Sequence, residues 1–184
     1  MDILGLNKID AKTLVQIIKD FNKTRIIIVG GACSGKDYLK NILKSHGFDT
    51  SISYTTRRQR ESETIGIDYF FIDDAKFMEY VSYGYFYEWT DFNGSKYGTT
   101  HTEWNAINPN KIFIMTPQPL EIMSDKDRSK CLVIYLKTND EERMDRMLSR
   151  GASETEINDR LSADDLIYKD FKNYDICFTD LTIQ

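Results

Sequence analysis

A glycine-rich loop directly after an apolar run is the feature that most constrains how this chain folds. The run Ile26–Val29 leads into Gly30–Asp37, whose sequence GGACSGKD fits the pattern G-x-x-x-x-G-K. Small residues let successive backbone N–H groups turn inward toward a phosphate, and the following helix directs its positive end at the same place. Lys36 would reach the β- and γ-phosphate oxygens. The pattern therefore predicts a strand, a nucleotide phosphate-binding loop and a helix.

Asp37 departs from this pattern, which usually has Ser or Thr at that position. The missing hydroxyl would ligate Mg²⁺ beside the nucleotide. A carboxylate is also a good ligand for a hard cation, although its charge near phosphate oxygens helps only when the metal is bound. Two alternatives stay open: Asp37 takes the Mg²⁺ role, or the site is degenerate.

The composition is that of one ordinary domain, alone or with inserted subdomains. The chain has 184 residues, of which 41% are hydrophobic and 29% charged. It has neither an apolar run long enough to span a membrane nor an N-terminal secretory pattern, which predicts a cytoplasmic protein. The cysteines, Cys33, Cys131 and Cys177, form no C-x-x-C pair, which argues against a disulfide framework or a zinc site. We expect Cys131 and Cys177 to lie in strands.

The charge distribution favours small anionic partners. A net charge of −5 argues against broad nucleic-acid binding. The arginines cluster in two groups, which suits a small polyanion held locally. These groups are Arg57, Arg58 and Arg60, and Arg143, Arg146, Arg150 and Arg160. We expect no nucleic-acid or membrane partner, and a monomer or weak homodimer.

Periodicity and capping signals predict an α/β fold, with buried apolar strands typical of a parallel sheet. The predicted helices cover about 10–22 behind a cap at Asp10, Lys36–Ser45, Asp74–Ser82, Thr138 to about Ser149, and Ser153 to about Phe171. The predicted strands are Thr24–Val29, Asp68–Ile72, Tyr85–Phe92, Lys96–Gly98, Lys111–Met115, Leu132–Leu136 and Asp175–Phe178. The hairpin signal Asn93-Gly94 lies in residues 57–99, which read as a small β-rich subdomain inserted in the α/β frame.

Longer motifs resemble the guanylate kinase family of P-loop nucleoside monophosphate kinases, from about Ile26 to Phe178. S-x-S-x-T-T-R-x-x-R occupies 51–60, and G-x-D-Y-x-F occupies 66–71. F-x-E-W, Y-G-[ST] and R-x-x-x-R-G follow at 86–89, 97–99 and 146–151. The resemblance implies a P-loop three-layer parallel-sheet core, an inserted nucleotide-monophosphate-binding subdomain and a helical lid. The corresponding division is an N-terminal helical extension at 1–24, a core of 25–56, 100–138 and 172–184, a GMP-binding insertion at 57–99 and a lid at 139–171.

On the donor side, the resemblance implies binding of ATP with Mg²⁺ and catalysis by Lys36 together with lid arginines. The ATP-binding residues would be Gly30, Gly31, Ala32, Cys33, Ser34, Gly35, Lys36, Asp37 and Tyr38. The lid arginines would be Arg146, Arg150 and Arg160, which in the family swing over the phosphates and exclude water. The alternative for Arg146 is a surface ion pair with Glu142, four residues earlier on the same helix.

On the acceptor side, the resemblance implies GMP binding by residues of the insertion. These are Ser53, Arg57, Arg60, Tyr69, Glu88, Tyr97 and Thr99. Arginine forks and tyrosine hydroxyls suit the acceptor phosphate, although the tyrosines could instead pack the subdomain and the arginines could be solvated. A carboxylate at Glu88 can accept from both N1–H and N2–H₂ of guanine, while the Thr99 hydroxyl can satisfy O6. Adenine reverses this pattern, so guanine is favoured.

The chain also departs from the family. Ile114 and Thr116 occupy places that are usually acidic, so we hypothesise that Asp37 takes over part of the Mg²⁺ role. The acceptor loop lacks the usual Pro-Gly, although Glu63 matches the expected acid. Little sequence follows Phe178, and the helix at about 10–22 is expected to cover the surface of the family's C-terminal helix.

Three functions remain open at this point. The first is an ATP-dependent kinase that makes GDP or dGDP from GMP or dGMP. The second is a ribose 1,5-bisphosphate kinase, a relative that also has G-K-D in its P-loop but has no use for a guanine pocket. The third is a nonenzymatic guanylate-kinase-like binding module, although such modules typically lose the P-loop lysine and the lid arginines.

Overall fold

The computed structural model describes residues 8–92, 94–107, 110–179 and 181–183. Its helices are α1 (Ala11–Asp20), α2 (Lys36–Ser45), α3 (Asp74–Ser82), α4 (His101–Trp104), α5 (Pro117–Glu121), α6 (Asp125–Arg128), α7 (Asp140–Leu148) and α8 (Glu154–Tyr168). Its strands are β1 (Lys8–Ile9), β2 (Arg25–Gly30), β3 (Tyr54–Thr55), β4 (Phe70–Phe71), β5 (Phe86–Phe92), β6 (Ser95–Thr100), β7 (Lys111–Ile114), β8 (Cys131–Lys137), β9 (Ile176–Thr179) and β10 (Thr182–Ile183). They form two compact units, the larger unit within 1–50 and 109–184 and the inserted unit within 51–108.

A four-stranded parallel sheet forms the centre of the larger unit. Its order is β7-β2-β8-β9, and every neighbouring pair is parallel. The run Ile26–Val29 lies in the central strand β2 and is at most 1% exposed. Burial on both faces explains why this strand is apolar without alternation. Cys131 and Cys177 are buried in β8 and β9, as predicted. The predicted α/β fold with a parallel sheet is confirmed.

Helix α1 confirms the predicted N-terminal helix. Asp10 caps it, since its side chain accepts a hydrogen bond of 3.0 Å from the Thr13 backbone N–H. Leu14 and Ile18 are buried in the same apolar core as Ile28 of the central strand. The helix therefore contributes directly to the core, while its equivalence to a C-terminal helix stays a prediction.

Strand β1 pairs in parallel with β10, an interaction that the sequence does not reveal. Lys8 lies opposite Thr182, and Ile9 lies opposite Ile183. Two-residue strands are too short to show a period, which is why no pattern predicts them. The Tyr38 hydroxyl donates to the Ile183 carbonyl at 2.9 Å, so helix α2 is also attached to this pair.

The inserted unit is built on a mixed sheet with the order β4-β3-β6-β5. Strands β5 and β6 pair antiparallel, with a bulge between Phe86 and Glu88. Phe77 of α3 is buried and stacks on Phe86 with ring centroids 4.6 Å apart. Asn93 of the predicted turn lies outside the described residues. The predicted insertion at 57–99 falls within this unit, which also contains β3 and α4.

Several predicted element bounds are wrong. The strand predicted at Asp68–Ile72 is limited to β4, because its partner β3 offers only two residues. Helix α7 is capped by Asn139 rather than Thr138, since the Thr138 hydroxyl instead donates to the Ser34 carbonyl at 2.9 Å. Helix α8 ends at Tyr168, before the predicted end at Phe171. No helix in the described part of the chain combines the length and apolar character needed to cross a membrane.

Candidate active site

The phosphate-binding loop joins the end of β2 to the start of α2. Its backbone has left-handed conformations at Cys33, with a φ of 57°, and at Gly35, with a φ of 96°. Gly35 adopts this conformation without strain, whereas Cys33 is held in it despite its Cβ. Alternation of this kind lets consecutive N–H groups point into one concavity, and helix α2 begins directly behind it at Lys36. The loop therefore has the geometry of an anion site.

Lys36 is folded onto the loop that it serves. Its Nζ donates to the carbonyl oxygens of Gly30 and Gly31, both at 2.7 Å. Burial lowers the pKa of the ammonium group, although the nearby carboxylates of Asp164 and Asp37 oppose this shift. Lys36 thus lies beside the loop backbone, where a bound phosphate would offer it stronger acceptors than two carbonyl groups.

Asp37 occupies the first turn of α2 and forms an ion pair of 2.9 Å with Lys40. Partial burial raises its pKa, but Lys40, Lys36 and Arg150 outweigh that effect and hold the pKa below its usual value. The side chain stays 64% exposed, so an ionised oxygen is accessible to a cation. The described residues contain no cluster of three His, Cys, Asp or Glu side chains suited to a metal. One carboxylate nevertheless fits Mg²⁺, which is commonly held by one or two carboxylates, substrate phosphates and water.

The three predicted lid arginines have different surroundings. Arg146 of α7 donates through Nη1 to the Cys33 carbonyl at 3.1 Å and pairs through Nη2 with Glu142 at 2.7 Å. The alternative surface pair is therefore present together with a contact to the loop backbone, while the approach of Arg146 to phosphates stays a prediction. Arg150 is exposed after the end of α7, and Arg160 is half-buried on α8. Arg146 is the one of the three with a described hydrogen bond to the loop.

The candidate guanine-binding pair lies on neighbouring strands of the inserted unit. Glu88 on β5 is the cross-strand partner of Thr99 on β6, and the Thr99 hydroxyl donates to Glu88 Oε1 at 2.5 Å. Burial raises the pKa of Glu88 to about 7, although hydrogen bonds from Thr99 oppose this shift. Tyr97 lies two residues before Thr99, on the same face of β6. The face therefore combines a carboxyl group, a hydroxyl and a phenol.

The candidate phosphate end of the acceptor site is organised by Glu63. Arg57 forms an ion pair of 2.6 Å with the Glu63 carboxylate, which also accepts from the Arg60 backbone N–H at 2.9 Å. The Arg57 guanidinium lies 5.5 Å from the centre of the Tyr69 ring, and that ring lies 6.1 Å from the ring of Tyr97. Arg57, Tyr69 and Tyr97 are thus brought together as predicted for an anion site. The Arg57 guanidinium is mostly buried, which argues against the alternative of a solvated charge.

The remaining acceptor residues contribute less to this cluster. Arg60 is more exposed than Arg57, and its Nη1 lies 3.6 Å from Glu63. Ser53 is half-buried, and its carbonyl accepts from the Phe70 backbone N–H at 2.9 Å. The backbone of Ser53 therefore joins the strand network, while its hydroxyl stays a predicted nucleotide contact.

Comparison with known proteins places these features in a family. The sequence model described as guanylate kinase matches residues 22–183. The chain belongs to the guanylate kinase family. The resemblance read from the sequence motifs is thereby confirmed.

Individual guanylate kinases match over most of the chain. The guanylate kinase of Mycoplasma genitalium is 28% identical over 190 residues, which cover 97% of this chain and 79% of the relative. That of Campylobacter jejuni strain RM1221 is 30% identical over 159 residues, covering 82% of this chain and 77% of the relative. The crystal structure of guanylate kinase from Anaplasma phagocytophilum is 21% identical with a TM-score of 0.62 and covers 86% of this chain and 77% of that one. The structural match supports the guanylate kinase fold.

Two of this guanylate kinase family member's departures from the motifs can be located. Ile114 ends β7 and is half-buried, and its hydrocarbon side chain has no oxygen with which to hold a cation. Thr116 lies directly before α5, and its Oγ1 is buried without a hydrogen-bond partner in the described part of the chain. An uncharged hydroxyl replaces the expected carboxylate there, which leaves Asp37, in the first turn of α2, as the candidate metal ligand named from the sequence.

Sequence reasoning placed Arg143 in an arginine group but did not predict that it holds this loop, and it missed Asp164 and Tyr168, which hold the loop from α8. The Tyr168 hydroxyl donates to the Gly30 carbonyl at 2.8 Å, and the Asp164 carboxylate accepts from the Ala32 backbone N–H at 2.7 Å. Arg143 donates to the Ala32 carbonyl at 2.9 Å. These side chains also line a cavity of about 510 Å³, within the size range of small-molecule pockets. No local pattern marks them, because their partners lie more than 100 positions away along the chain.

Proposed function

We propose that this protein is an ATP-dependent guanylate kinase, which transfers the γ-phosphoryl group of ATP to GMP or dGMP. As a member of this family, it is a nucleoside monophosphate kinase. The observation that carries the choice of acceptor is the pairing of Glu88 with Thr99 across β5 and β6. The Glu88 carboxylate can accept hydrogen bonds from guanine N1–H and N2–H₂, and the Thr99 hydroxyl can donate to guanine O6. Adenine presents the reverse pattern of donors and acceptors.

The donor side of the proposed reaction uses the loop between β2 and α2. The backbone N–H groups of the loop and the N-terminus of α2 would bind the β-phosphate of ATP. Lys36 would exchange its two carbonyl partners for phosphate oxygens. Mg²⁺, when bound with ATP, would neutralise charge on the β- and γ-phosphates, and Asp37 would help to hold it.

The acceptor side uses the group around Arg57. Its guanidinium is held by Glu63 and lies over the Tyr69 ring, so it needs little reorganisation to receive a phosphate. The phenol groups of Tyr69 and Tyr97 would add neutral donors. The Arg57 guanidinium, held by Glu63 and by the Arg58 carbonyl, and the two hydroxyls favour a phosphate monoester as the acceptor.

Base selection follows from the Glu88 carboxyl group. In its ionised form it accepts from the N1–H and N2–H₂ groups of guanine, while the Thr99 hydroxyl can turn to donate to O6. Adenine would place its N1 acceptor against the carboxylate and leave buried polar groups unpaired. Such unpaired groups cost about 1–3 kcal/mol of binding free energy. GMP is therefore preferred over AMP by this pair.

Chemistry at the transferring group needs positive charge and positioning more than proton transfer. Lys36 and Arg146 both contact the loop backbone, at Gly30 and Cys33. We place Arg150 and Arg160 with them as cations that offset the charge of the transferring phosphoryl group. Their proposed approach to the phosphates would also exclude water and limit hydrolysis of ATP. The cytoplasmic location and the monomeric or weakly dimeric state stay predictions.

A coupled ADP-release assay with Mg-ATP tests this function. GMP, dGMP, AMP, dTMP and ribose 1,5-bisphosphate are offered in parallel. Lys36→Ala is the blank, and Lys44→Ala, an exposed position on the same helix, is the matched control. We expect turnover with GMP or dGMP, lost in Lys36→Ala and retained in Lys44→Ala. Turnover confined to ribose 1,5-bisphosphate, or GMP binding without turnover, would refute the proposal.

A further inference from the structure

Helix α8 contacts the phosphate-binding loop through two side chains one turn apart. Asp164 Oδ2 accepts from the Ala32 backbone N–H at 2.7 Å. Tyr168, four residues later on the same helix face, donates its hydroxyl to the Gly30 carbonyl at 2.8 Å. The first half of the loop is therefore bonded to α8 at both of these residues.

Helix α7 completes this attachment through Arg143. Its Nε donates to the Ala32 carbonyl at 2.9 Å, and its Nη2 forms an ion pair with Asp164. Both side chains are buried, with Arg143 6% and Asp164 1% exposed. The ion pair thus bonds both backbone polar groups of Ala32 and joins α7, α8 and the loop at one point.

The lack of a side chain at Gly31 leaves room for this ion pair. A Cβ added there would lie 2.6 Å from both Arg143 Nη2 and Asp164 Oδ2. Gly31 is not among the residues with a positive φ, so an alanine would meet no backbone strain. The absence of a side chain is therefore required by the ion pair and not by the turn of the loop.

Stability alone does not explain the pair. Replacing a buried ion pair by apolar side chains is often neutral or stabilising, because removing two charges from water is costly. Asp164 Oδ1 is in addition buried without a hydrogen-bond partner among the described residues, which is itself unfavourable. The clear effect of these hydrogen bonds is to fix the position of the Gly31–Ala32 segment.

We propose that Arg143 and Asp164 are positioning residues for the phosphate donor. The pair fixes the start of the loop, so that the amides that follow and Lys36 are already arranged when ATP binds. It also joins the loop to the helices that carry Arg146 and Arg160. This inference rests on the proposed function in taking an ATP-derived phosphate chain as the ligand of the loop.

The double variant Arg143→Leu/Asp164→Ala tests the pair. It leaves the net charge unchanged, so the electrostatic attraction of phosphates is preserved to first order while both bonds to Ala32 are lost. We expect the Kd for ADP, measured by fluorescence of a labelled ADP, to rise about tenfold, or roughly 1.4 kcal/mol. The KM for GMP is expected to change less than twofold. A folded variant with an unchanged Kd for ADP would overturn the proposal.

A matched control comes from the opposite end of the same strands. Arg128 and Asp175 form an ion pair of 3.1 Å, and Asp175 accepts from the Val133 backbone N–H, so the chemistry is similar but remote from the loop. Arg128→Leu/Asp175→Ala is expected to leave the Kd for ADP unchanged. An equal rise in both double variants would show a general loss of stability and overturn the positioning role.

Gly31→Ala provides a second route that keeps both charges. In the wild-type background it is expected to raise the Kd for ADP about tenfold, because the new Cβ displaces the ion pair. In the Arg143→Leu/Asp164→Ala background the space is vacant, and the same change is expected to have less than a twofold effect. Equal effects in the two backgrounds would overturn the proposal.

The binding readout separates this inference from the proposed function. ADP binding is measured without GMP. A protein that binds ADP but does not phosphorylate GMP would refute the proposed function, and the Kd values for ADP of wild type and variants would still test the positioning role. A wild-type protein that does not bind ADP would overturn the positioning role directly.

Discussion

Glu88 and Thr99 lie opposite each other on β5 and β6, with the Thr99 hydroxyl donating to the Glu88 carboxyl group at 2.5 Å. The bulge between Phe86 and Glu88 shifts the strand register just before this pair. The pair therefore depends on one irregularity in an otherwise regular hairpin. It gives the proposed specificity for guanine a defined structural basis.

Glu88→Gln is expected to raise the KM for GMP by about 10- to 100-fold. The amide can present a donor where guanine requires an acceptor, and a lost or mismatched hydrogen bond of this kind costs about 1–3 kcal/mol. Steady-state kinetics with varied GMP and saturating Mg-ATP measure the effect. Glu79→Gln, at an exposed position on α3, is the control and is expected to match wild type. A Glu88→Gln enzyme with wild-type KM would contradict the guanine contact.

The binding of GMP is expected to weaken below about pH 7. The free protein has a Glu88 pKa of about 7, raised from 4.5 by burial, whereas guanine binding requires the carboxylate. Each pH unit below the pKa should therefore raise the KM for GMP up to tenfold. The pH profile of kcat/KM for GMP measures this, and Glu88→Gln should lose this dependence. A wild-type profile of kcat/KM that is flat from about pH 5.5 to about pH 7 would contradict the prediction.

The same pKa shift has a consequence for stability. The folded-state pKa lies above the unfolded value, so the contribution of Glu88 is fully present below about pH 4.5 and is lost as pH rises through about 7. Glu88→Gln removes this titration. Its free energy of unfolding relative to wild type is therefore expected to increase between these pH values, as measured by urea denaturation, and a constant difference would count against the shift.

Glu63→Ala is expected to raise the KM for GMP about tenfold by releasing Arg57. The carboxylate holds the Arg57 guanidinium at 2.6 Å and the Arg60 backbone at 2.9 Å, and disordering both adds an entropy cost to phosphate binding. Kinetics with varied GMP and then varied ATP separate the two substrates, and the KM for ATP should not change. Glu61→Ala, exposed in the same loop, is the control. An equal rise in both KM values would point to general unfolding instead.

Cys33→Gly is expected to stabilise the fold by about 1 kcal/mol. Cys33 has a φ of 57°, a conformation that glycine adopts without the penalty of a Cβ. Urea denaturation measures the change, and Cys33→Ala serves as the comparison because it keeps the Cβ. If alanine stabilises the protein as much as glycine does, the thiol and not the backbone is the source of strain.

Asp37→Ala is expected to lower activity with Mg-ATP more than Asp37→Ser does. Serine restores the hydroxyl that the P-loop pattern usually provides, whereas alanine leaves no side-chain ligand for Mg²⁺. Titrating activity with Mg²⁺ at fixed ATP measures the difference, and Lys40→Ala reports the loss of the ion pair with Asp37 alone. Identical Mg²⁺ titrations for the alanine and serine variants would remove the metal role.

Sequence patterns within a few residues predicted the helices whose bounds depend on neighbouring residues. The helices Lys36–Ser45 and Asp74–Ser82 match their predicted bounds, since glycine, caps and apolar spacing act within a few residues. The family motifs predicted that Glu88 and Thr99 contact one base and that Arg57 and Tyr69 contact one phosphate, and the structure brings each of these pairs together. These motifs are short in sequence, and the strand pairing brings their parts together.

Distant contacts account for what the sequence could not reveal. Both Thr138 and Asn139 are good caps, and only the bond from Thr138 to Ser34, far earlier in the chain, decides between them. The sequence predicts Arg143 only as a member of an arginine group that suits a small polyanion, and its ion pair with Asp164 is seen only in the folded chain. Charge patterning on a single helix carries no information about such partners.

The two sheet neighbours of the central strand β2 are β7 and β8, and both follow the inserted unit in the sequence. During synthesis from the N-terminus, residues 51–108 leave the ribosome as one continuous segment before either neighbour is available. The segment Ile26–Val29 therefore has no sheet partner during this part of synthesis. Exposed apolar strands of this kind favour aggregation. The strand is therefore expected to stay without its partners in newly made chains until residue 137, the end of β8, has emerged.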